Sequence, residues 1–333
     1  MNVPPLLRSL LWPLSVLYGV FVRLRVWLYA QGWLKQKRLK GTVISVGNLT
    51  VGGTGKTPMV IWLAEKFLAD GKRVAILSRG YRGTNGTSDE IELLKHRLGD
   101  RVRFGVGKNR FVQGFRLESN KPVDIFLLDD GFQHLQLARD LNILMLDGST
   151  KLKDERLLPS GMLREPISAC RRANILIVTR KTERPDVEAC DSHKFSLFYA
   201  QTRLHGFRLI GNEDIPNYLS ELGPGPYFAF CGIGNPEAFW NDLGRWHVPL
   251  AGCKKYRDHH RYTNSDVRGL EEAAVQAGAK AFITTEKDEQ NLKHLRIFQR
   301  PVYATVIDFV LSSESEFLAA IDRTLAARPD VTA

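Results

Sequence analysis

Cysteine is scarce in this chain, and its few cysteines are far apart. Four of the 333 residues are cysteine, at positions 170, 190, 231 and 253, and no two of them form a C-x-x-C pair. This spacing is not that of a zinc site or a redox dithiol, so we expect four reduced thiols in a protein of the cytosol. The sequence also lacks a fixed-period repeat and any low-complexity tract, and 44% of it is hydrophobic, which predicts ordinary globular domains.

The N-terminal region also lacks a hydrophobic run long enough to cross a bilayer. The uncharged stretch from Ser9 to Val22 has 14 residues, whereas a spanning helix needs about 20. No small-x-small cleavage site follows it, which argues against a secretory signal. We therefore predict that residues 1–40 form a helix in the membrane interface; the alternative is a long helix packed on the protein's own core. The residues expected at the lipid headgroups are Trp12, Tyr18, Trp27, Tyr29, Trp33, Arg8, Arg23, Arg25, Lys35, Lys37, Arg38 and Lys40.

Acidic residues are fewer than basic ones. The chain has 47 Lys and Arg against 36 Asp and Glu, a formal net charge of +11. Such a surplus favours an acidic partner, which is nucleic acid, an anionic membrane surface or a phosphorylated substrate. Because no recognised nucleic-acid module occurs, we expect no nucleic-acid partner and assign the charge to lipid and phosphate.

The stretch from Val43 to Thr57 has the pattern of a strand that leads into a phosphate loop. Glycines let successive backbone N–H groups surround phosphate oxygens, and the following helix points its positive end at the same anion. Lys56 is expected to contact the β- and γ-phosphates and act in catalysis, and the Thr57 hydroxyl to bind Mg²⁺. The pattern departs from G-x-x-x-x-G-K-[ST] at Thr50, and the alternative is a glycine-rich turn. The expected nucleotide-binding residues are Thr50, Val51, Gly52, Gly53, Thr54, Gly55, Lys56 and Thr57.

Two carboxylates follow a second apolar strand. The segment 123–130 ends in Asp129 and Asp130, which is the form of a Walker B element that holds Mg²⁺ beside the nucleotide. The alternative is a pair of helix-capping residues. A proline-bounded loop over 157–166 carries Arg164 and Glu165. The glycine-rich segment 78–90 is interpreted as a substrate rim or, alternatively, a mobile surface loop.

Apolar strands alternate with helical segments along most of the chain, which predicts parallel sheets. We expect an α/β fold in which a P-loop NTPase-type domain of about five parallel strands spans residues 41–185. A second, smaller α/β domain is expected over 223–333. The alternation of apolar residues between Lys194 and Leu209 predicts a two-stranded ribbon in a linker over 186–222. The N-terminal membrane-associated helix over 1–40 precedes these domains.

Seven motifs occur in one order along the chain: VGNLTVGGTGKTP, LSRGYRG, LDDGFQH, LLPSGMLREP, FCGIGNPEAF, DHHRYT and TTEKD. Together they closely resemble the tetraacyldisaccharide 4′-kinases, over nearly the whole chain. The resemblance implies that phosphate passes from ATP, with Mg²⁺, to the 4′-hydroxyl of a tetraacylated glucosamine disaccharide 1-phosphate, which gives the lipid A precursor lipid IVA. It implies a membrane-embedded substrate, and hence a peripheral or monotopic protein on the cytoplasmic face of a Gram-negative inner membrane.

The resemblance also implies roles for single residues. The implied metal ligands are Thr57, Asp129, Asp130 and Glu165. Asp130 would also act in catalysis, and Asp89, which follows the LSRGYRG motif, would accept the proton of the 4′-hydroxyl. His259 would support Asp89, with His260 as the alternative.

Two other classes of protein remain open. One is a P-loop GTPase or ATPase that acts as a switch or metallochaperone, and the other is a membrane-tethered scaffold with an inactive nucleotide fold. A guanine site has the pattern [NT]-K-x-D, whereas residues 285–288 read TEKD, so GTP is not expected. Lys56, Thr57 and the pair Asp129 and Asp130 argue against a scaffold.

Overall fold

The computed structural model describes residues 5–80, 88–180, 190, 195–211, 218, 222, 225–292, 295 and 298–327. The helices found there are α1 (Pro5–Leu10), α2 (Trp12–Ala30), α3 (Lys56–Ala69), α4 (Asp89–Leu98), α5 (Arg110–Asn120), α6 (Pro236–Arg245), α7 (Asn264–Ala277), α8 (Glu286–Leu292) and α9 (Glu314–Ala326). The strands are β1 (Thr42–Asn48), β2 (Val74–Ser78), β3 (Arg103–Val106), β4 (Ile125–Asp129), β5 (Leu141–Asp147), β6 (Ile175–Thr179), β7 (Ser196–Leu209), β8 (Tyr227–Cys231), β9 (Leu250–Lys255), β10 (Ala281–Thr285) and β11 (Val302–Leu311).

The first of two compact units comprises Met1–Gly86, Leu98–Gln201 and Phe309–Ala333. Its strands lie in the order β3-β2-β4-β1-β5-β6-β7 and pair in parallel. Strands β2, β4 and β6 are buried along their whole length, as in parallel sheets covered on both faces. Helices α3, α5 and α9 pack on the sheet. The predicted parallel α/β fold is confirmed, with β3 as a strand that the sequence did not predict.

The second unit comprises Thr87–Arg97 and Thr202–Asp308. Strands β11, β10, β8 and β9 lie in that order and are parallel. Its core is rich in aromatic rings: Phe230 packs edge-on against Tyr262 and Phe282, with ring centroids 5.5 and 5.9 Å apart. The second α/β fold is therefore present, and it includes β9, which the sequence did not predict.

The two compact units differ from the predicted domain boundaries at two places. Helix α4, predicted inside the first domain, belongs to the second unit up to Arg97, where the guanidinium lies 3.3 Å from the Glu286 carboxylate of α8. Helix α9 belongs to the first unit, because the ring of Phe317 packs against Trp62 and Phe198 at 5.7 and 5.2 Å. Each helix therefore belongs to the unit whose side chains it contacts. The order of residues in the sequence does not reveal those contacts.

The predicted two-stranded ribbon is also wrong. Residues Ser196–Leu209 form the single strand β7, whose first part pairs in parallel with β6. The two apolar stretches were correctly identified as strand, but the polar residues between them, such as Gln201 and Arg203, continue the extended backbone instead of turning. Much of the predicted linker over 186–222 lies outside the described residues.

The N-terminal region forms two helices and then leaves helical structure at Ala30, ten residues before the predicted end. Small residues let α2 approach the loop over 157–163: Ser15 donates to the hydroxyl of Ser160 at 2.8 Å, and a Cβ on Gly19 would lie 2.7 Å from Leu157 Cδ1. Among the residues described, no helix combines the length and the apolar character needed to span a bilayer. The packed-helix alternative is thus confirmed for one side of α2.

The remaining surface of the N-terminal region exposes large apolar side chains. Leu17 and Phe21 are 67% and 64% exposed, respectively. The exposed set in this region is Leu7, Leu10, Trp12, Leu14, Val16, Leu17, Val20, Phe21, Leu24, Trp27, Trp33 and Leu34. Many exposed large apolar side chains on one short segment are typical of a membrane or protein contact.

The prediction of four reduced thiols is wrong for two of them. Cys170 and Cys190 are joined by a disulfide, with a sequence separation of 20, and both lie in the core that surrounds Leu144 and Leu176. Cys231 and Cys253 are free thiols. Strand β6 lies between the bonded pair in sequence, so the spacing of the cysteines gave no sign of the contact.

Candidate active site

The phosphate loop connects β1 to α3, as the sequence predicts. Gly55 caps α3 at a φ of 82°, and Gly52 has a φ of 127°. Both values favour glycine, because a Cβ makes this part of backbone space costly. Helix α3 begins at Lys56, so its first N–H groups have no partner within the helix and face the loop. The arrangement is suited to binding an anion.

Side chains from β5 and β6 support the outer part of the loop. Thr179 donates to the carbonyl of Thr54 at 3.3 Å, and Arg180 donates to the carbonyl of Gly53 at 3.1 Å. Arg180 is itself held by the Asp147 carboxylate at 2.6 Å. These bonds fix the carbonyls of Gly53 and Thr54, and the N–H of Val51 is fixed by the Met162 carbonyl at 2.8 Å.

Asp129 and Asp130 lie at the end of β4, beside the end of β1, since Val46 pairs with Asp129 in the parallel register. Asp130 has a φ of 51°, a conformation that non-glycine residues adopt mainly where the surroundings impose it. Its carboxylate lies 3.7 Å from Lys56 Nζ and 2.7 Å from Arg164 NH1. Although burial would raise the pKa of Asp130, Lys56, Arg164 and Arg110 lower that pKa to about 2.

These carboxylates fit a magnesium ion. Asp129 is buried and accepts from Ser78 at 3.3 Å. Asp130 Oδ1 is buried and accepts no hydrogen bond within the described part of the chain, so one oxygen remains for a cation. Glu165 is also buried, and its Oε2 accepts from Arg172 at 2.6 Å. Hard cations prefer oxygen donors of this kind.

A cluster of cations lies in the same unit, and no sequence motif predicts it as a group. It consists of Arg25, Arg79, Arg110 and Arg139 around the imidazole of His134, and we call these five residues the cation cluster. Burial and the four arginines lower the pKa of His134 to about 4, which leaves its imidazole neutral at pH 7. Arg110 is 7% exposed, and its Nε and the Nε2 of His134 have no hydrogen-bond partner among the described residues. Buried donors without partners and a surplus of positive charge indicate a site for an anion.

Helix α2 contributes to the surroundings of this region. The Tyr18 hydroxyl donates to the carbonyl of Arg164 at 2.8 Å, and Arg25 donates to the carbonyl of Gln133 at 3.3 Å. The apolar N-terminal helix therefore contacts the loop that carries Arg164 and Glu165.

In the second unit, Asp89 and His259 form the contact that the sequence predicts. His259 Nδ1 lies 2.8 and 3.0 Å from the two oxygens of Asp89, which begins α4. The hydrogen bond to Asp89 raises the pKa of His259, although burial and Lys287 oppose it. Burial would raise the pKa of Asp89, but His259 and Lys287 lower it well below its usual range. His260, the alternative, instead pairs with Asp266 at 3.2 Å.

Three further charged residues surround this pair. Lys287 Nζ lies 3.5 Å from Asp89, 3.1 Å from Glu90 and 3.4 Å from Asp258. We call Asp89, Glu90, Asp258, His259 and Lys287 the Asp89 cluster. Asp89, Glu90 and His259 have ligand atoms within 4.8 Å of one another, but the Lys287 ammonium lies among these carboxylates and supplies the positive charge that a metal ion would supply.

The comparison with known proteins decides the family. The sequence profile described as LpxK, tetraacyldisaccharide-1-P 4′-kinase, matches residues 7–326. The chain belongs to the tetraacyldisaccharide 4′-kinase family. Members of this family are phosphotransferases, and the chain is an enzyme of that class.

Individual relatives of the 4′-kinase family match the chain over nearly its whole length. Proteins named tetraacyldisaccharide 4′-kinase from Geobacter metallireducens and Geobacter sulfurreducens are each 39% identical to it, over 340 and 330 residues. These alignments cover 96% and 93% of the chain and 99% and 92% of the relatives. A crystal structure of the "apo" form of LpxK from Aquifex aeolicus in complex with ATP has a TM-score of 0.73 and 30% identity, and covers 96% of this chain and 99% of that chain.

The structure brings most of the residues predicted for a 4′-kinase into two groups. Lys56 and Asp130 meet beside the phosphate loop, and Asp89 meets His259. Sequence reasoning missed Arg110, which has no motif of its own, and gave no role to His134, although the LDDGFQH motif contained it. It also missed Lys287: the TTEKD motif contributed to the family resemblance and was compared with a guanine site, but its lysine was given no role. The segment 81–87 of the predicted substrate rim lies outside the described residues.

Proposed function

We propose that this enzyme transfers the γ-phosphoryl group of ATP to the 4′-hydroxyl of a tetraacylated glucosamine disaccharide 1-phosphate, giving lipid IVA. The observation that carries the proposal is the joint presence of two groups. One is a phosphate loop with Lys56 beside Asp130, and the other is the half-buried pair of Asp89 and His259. A phosphate loop alone serves switches and ATPases equally. A kinase also needs a group that orients the acceptor hydroxyl and takes its proton.

The phosphate-loop residues act on the donor. The backbone N–H groups of the loop after Val51, whose own N–H donates to the Met162 carbonyl at 2.8 Å, hold the phosphates. Lys56 places its charge at the β- and γ-phosphates. Thr57, Asp129, Asp130 and Glu165 would hold Mg²⁺, and the ion would neutralise charge on the transferred group. Lys56 and Arg164 keep the Asp130 carboxylate ionised at neutral pH.

The Asp89 cluster acts on the acceptor. Asp89 accepts the proton of the 4′-hydroxyl, and His259 orients the carboxylate through its Nδ1 hydrogen bond. A strong base is not required, because the alcohol loses its proton late when the transition state is loose. A carboxylate with a lowered pKa is therefore adequate, provided that it is held in position.

The cation cluster suits the phosphate that the acceptor already carries. Buried arginines bind phosphate oxygens in a fixed geometry, and Arg110 has an Nε without a partner among the described residues. His134 remains neutral at pH 7, so it can donate or accept a hydrogen bond according to its tautomer. We assign the 1-phosphate of the acceptor to this cluster.

The exposed apolar side chains of α1 and α2 support a location at a membrane. With arginine and lysine nearby, such helices bind anionic lipid surfaces in the interface. We propose a peripheral or monotopic enzyme on the cytoplasmic face of the inner membrane, where an acylated disaccharide would be embedded.

Transfer of labelled γ-phosphate from ATP to a detergent-dispersed tetraacyl disaccharide 1-phosphate tests the function. Labelled lipid formed by the intact protein but not by Lys56→Ala supports the kinase. Hydrolysis of ATP without labelled lipid would favour the switch-type ATPase instead. The absence of both reactions, with Mg²⁺ and detergent present, would favour the scaffold.

A further inference from the structure

The first turn of α8 meets the Asp89 cluster and is held rigidly from behind. Glu286 is buried, and its carboxylate lies 3.3 Å from Arg97 and 3.4 Å from Arg208. Glu289, one turn later, receives a second bond from Arg208, at 2.5 Å. Two arginines thus hold this turn through ion pairs: Arg208 of β7 in buried pairs and Arg97 of α4 in a partly buried one.

Lys287 projects from the same turn toward Asp89. Its Nζ contacts the carboxylates of Asp89, Glu90 and Asp258 at 3.5, 3.1 and 3.4 Å. The side chain of Asp89 is only 5% exposed. An ammonium group at this distance favours the ionised form of a carboxylate and restricts where that carboxylate can lie.

The next residue, Asp288, acts on the other member of the pair through the backbone. Asp288 is 0% exposed and accepts from the Gly232 N–H at 2.9 Å, from the Tyr262 hydroxyl at 2.9 Å and from the Thr285 hydroxyl at 2.6 Å. The carbonyl of Gly232 in turn accepts from the N–H of His259 at 3.0 Å. Asp288, Gly232 and His259 therefore form one chain of hydrogen bonds.

That chain ends at a residue in an unusual backbone conformation. His259 has a φ of 60°, which is uncommon for a residue with a Cβ and persists where the surroundings impose it. The approach of Gly232 is close: a Cβ there would lie 3.0 Å from His260 Cβ, 3.1 Å from the Arg257 carbonyl and 3.2 Å from Asp288 Oδ1. The hydrogen bond from His259 to Gly232 is thus one of the contacts that fix the histidine backbone.

We propose that the first turn of α8 positions both members of the Asp89 and His259 pair, Lys287 acting on the Asp89 carboxylate and Asp288 acting on the His259 backbone through Gly232. This inference rests on the proposed function, which assigns Asp89 and His259 their roles toward the acceptor hydroxyl. Lys287 and Asp288 are positioning residues, since each influences the acceptor only through Asp89 or His259.

The first experiment follows the titration of His259 by NMR in the full-length protein with labelled histidine, without nucleotide or lipid. Within the described residues, the charged groups that face His259 are Asp89, Glu90, Asp258 and Lys287. Lys287→Met leaves three carboxylates without their ammonium partner, so we expect the pKa of His259 to rise by about one unit. Lys287→Arg keeps the positive charge and should change the pKa of His259 much less. An unchanged titration in Lys287→Met would overturn the role of Lys287.

The second experiment separates the backbone chain from general packing. Asp288→Leu removes the acceptor of the Gly232 N–H, so we expect kcat to fall roughly 10- to 100-fold with the KM for ATP unchanged. Asp288→Asn retains a carbonyl acceptor and should keep most of the activity. Tyr262→Phe removes another bond to the same carboxylate but leaves Gly232 in place, so it serves as the matched control.

A folded Asp288→Leu protein with the wild-type kcat, or an equal loss in Tyr262→Phe, would contradict the role of Asp288. If Asp288→Leu does not fold, Gly232→Ala takes its place, because the added Cβ pushes against His260 and Asp288. A wild-type kcat in Gly232→Ala would also contradict the role of Asp288. The titration needs no turnover. The titration can therefore contradict the role of Lys287 while lipid phosphorylation is observed. It can also support that role when no lipid is phosphorylated.

Discussion

The phosphate-loop region and the Asp89 cluster both concentrate charge, but the surplus has opposite sign. Beside the phosphate loop, Asp130 is paired with both Lys56 and Arg164, and the neighbouring cation cluster adds four arginines. In the Asp89 cluster, three carboxylates surround one histidine and one lysine. A region with surplus cations is suited to holding polyphosphate, whereas one with surplus carboxylates is suited to taking a proton.

The two regions are also held differently. The phosphate loop is fixed mainly through its backbone, by glycines and by bonds to the carbonyls of Gly53 and Thr54. The Asp89 cluster is held by side chains from α4, α8 and the turn before α7, with Asp89 and His259 separated by 170 residues in sequence. Substitution of side chains around the phosphate loop should therefore disturb its geometry little. Substitution of any member of the Asp89 cluster should change the geometry of that cluster.

The largest expected effect tests the donor side of this comparison. Lys56→Ala removes the cation at the β- and γ-phosphates and should lower phosphate transfer by about 10³-fold or more, measured with labelled ATP. Lys66→Ala on the same helix is the matched control, because Lys66 instead pairs with Glu314 at 2.6 Å. Equal activity in the two variants would contradict a role for Lys56 in binding the phosphates of ATP.

The next effect tests the acceptor side. Asp89→Asn keeps the shape of the side chain but lowers its basicity, so we expect kcat to fall roughly 10²- to 10³-fold while ATP binds with unchanged affinity. Calorimetric titration with ATP and steady-state kinetics measure the two quantities. Glu92→Gln, one turn along α4 and paired with Lys95, should retain full activity. Loss of ATP affinity in Asp89→Asn would mean that the two regions do not divide donor and acceptor roles.

A smaller effect concerns pH and stability. The pKa of His259 is raised above its ordinary value of 6.5, so the stabilising bond to Asp89 is fully present below pH 6.5 and is lost as the pH rises through the raised pKa. His259→Asn should therefore lower the melting temperature more at pH 6 than at pH 9, by roughly 2 to 4 °C.

The same measurement on His205→Asn is the control for this stability prediction. His205 pairs with Asp308 at 3.2 Å but is exposed, and exposed pairs contribute little. A pH-independent difference for His259→Asn would show that the pair of Asp89 and His259 does not link protonation to stability.

The smallest expected effect lies outside both regions. Leu17→Glu places a charge on the exposed apolar surface of α2 and should weaken sedimentation with anionic vesicles severalfold, with little change in turnover of a detergent-dispersed substrate. Val275→Glu is matched to it, because Val275 on α7 is 62% exposed and Leu17 is 67% exposed. Equal vesicle binding by the two variants would argue against α2 as the membrane contact.

The donor region was largely predictable from sequence, because its residues are contiguous. The glycines before Lys56 and the apolar run before Asp129 both mark strand ends in a parallel sheet. Strands β3 and β9 were missed, since one is only four residues long and the other is only partly buried. Lengths and patterns of this kind carry a weak strand signal.

The acceptor region was predictable only in part. Asp89 and His259 were found through the family resemblance, and the structure confirms their contact. Lys287 was not found, because its partners Asp89 and Asp258 lie far away in sequence and no local pattern marks a long-range ion pair. The chain from Asp288 to His259 passes through the backbone of Gly232, and backbone hydrogen bonds of this kind leave no trace in residue type.

The contacts of α2 with the loop over 157–164 have a consequence for how the enzyme meets its acceptor. Ser15 and Tyr18 attach the apolar helix to the compact unit that carries the phosphate loop, so an enzyme bound by this helix would search for its lipid in two dimensions. The rate would then follow the mole fraction of acceptor within the surface. Adding inert detergent at a fixed total amount of acceptor should slow the reaction by surface dilution, although the bulk concentration of acceptor stays the same.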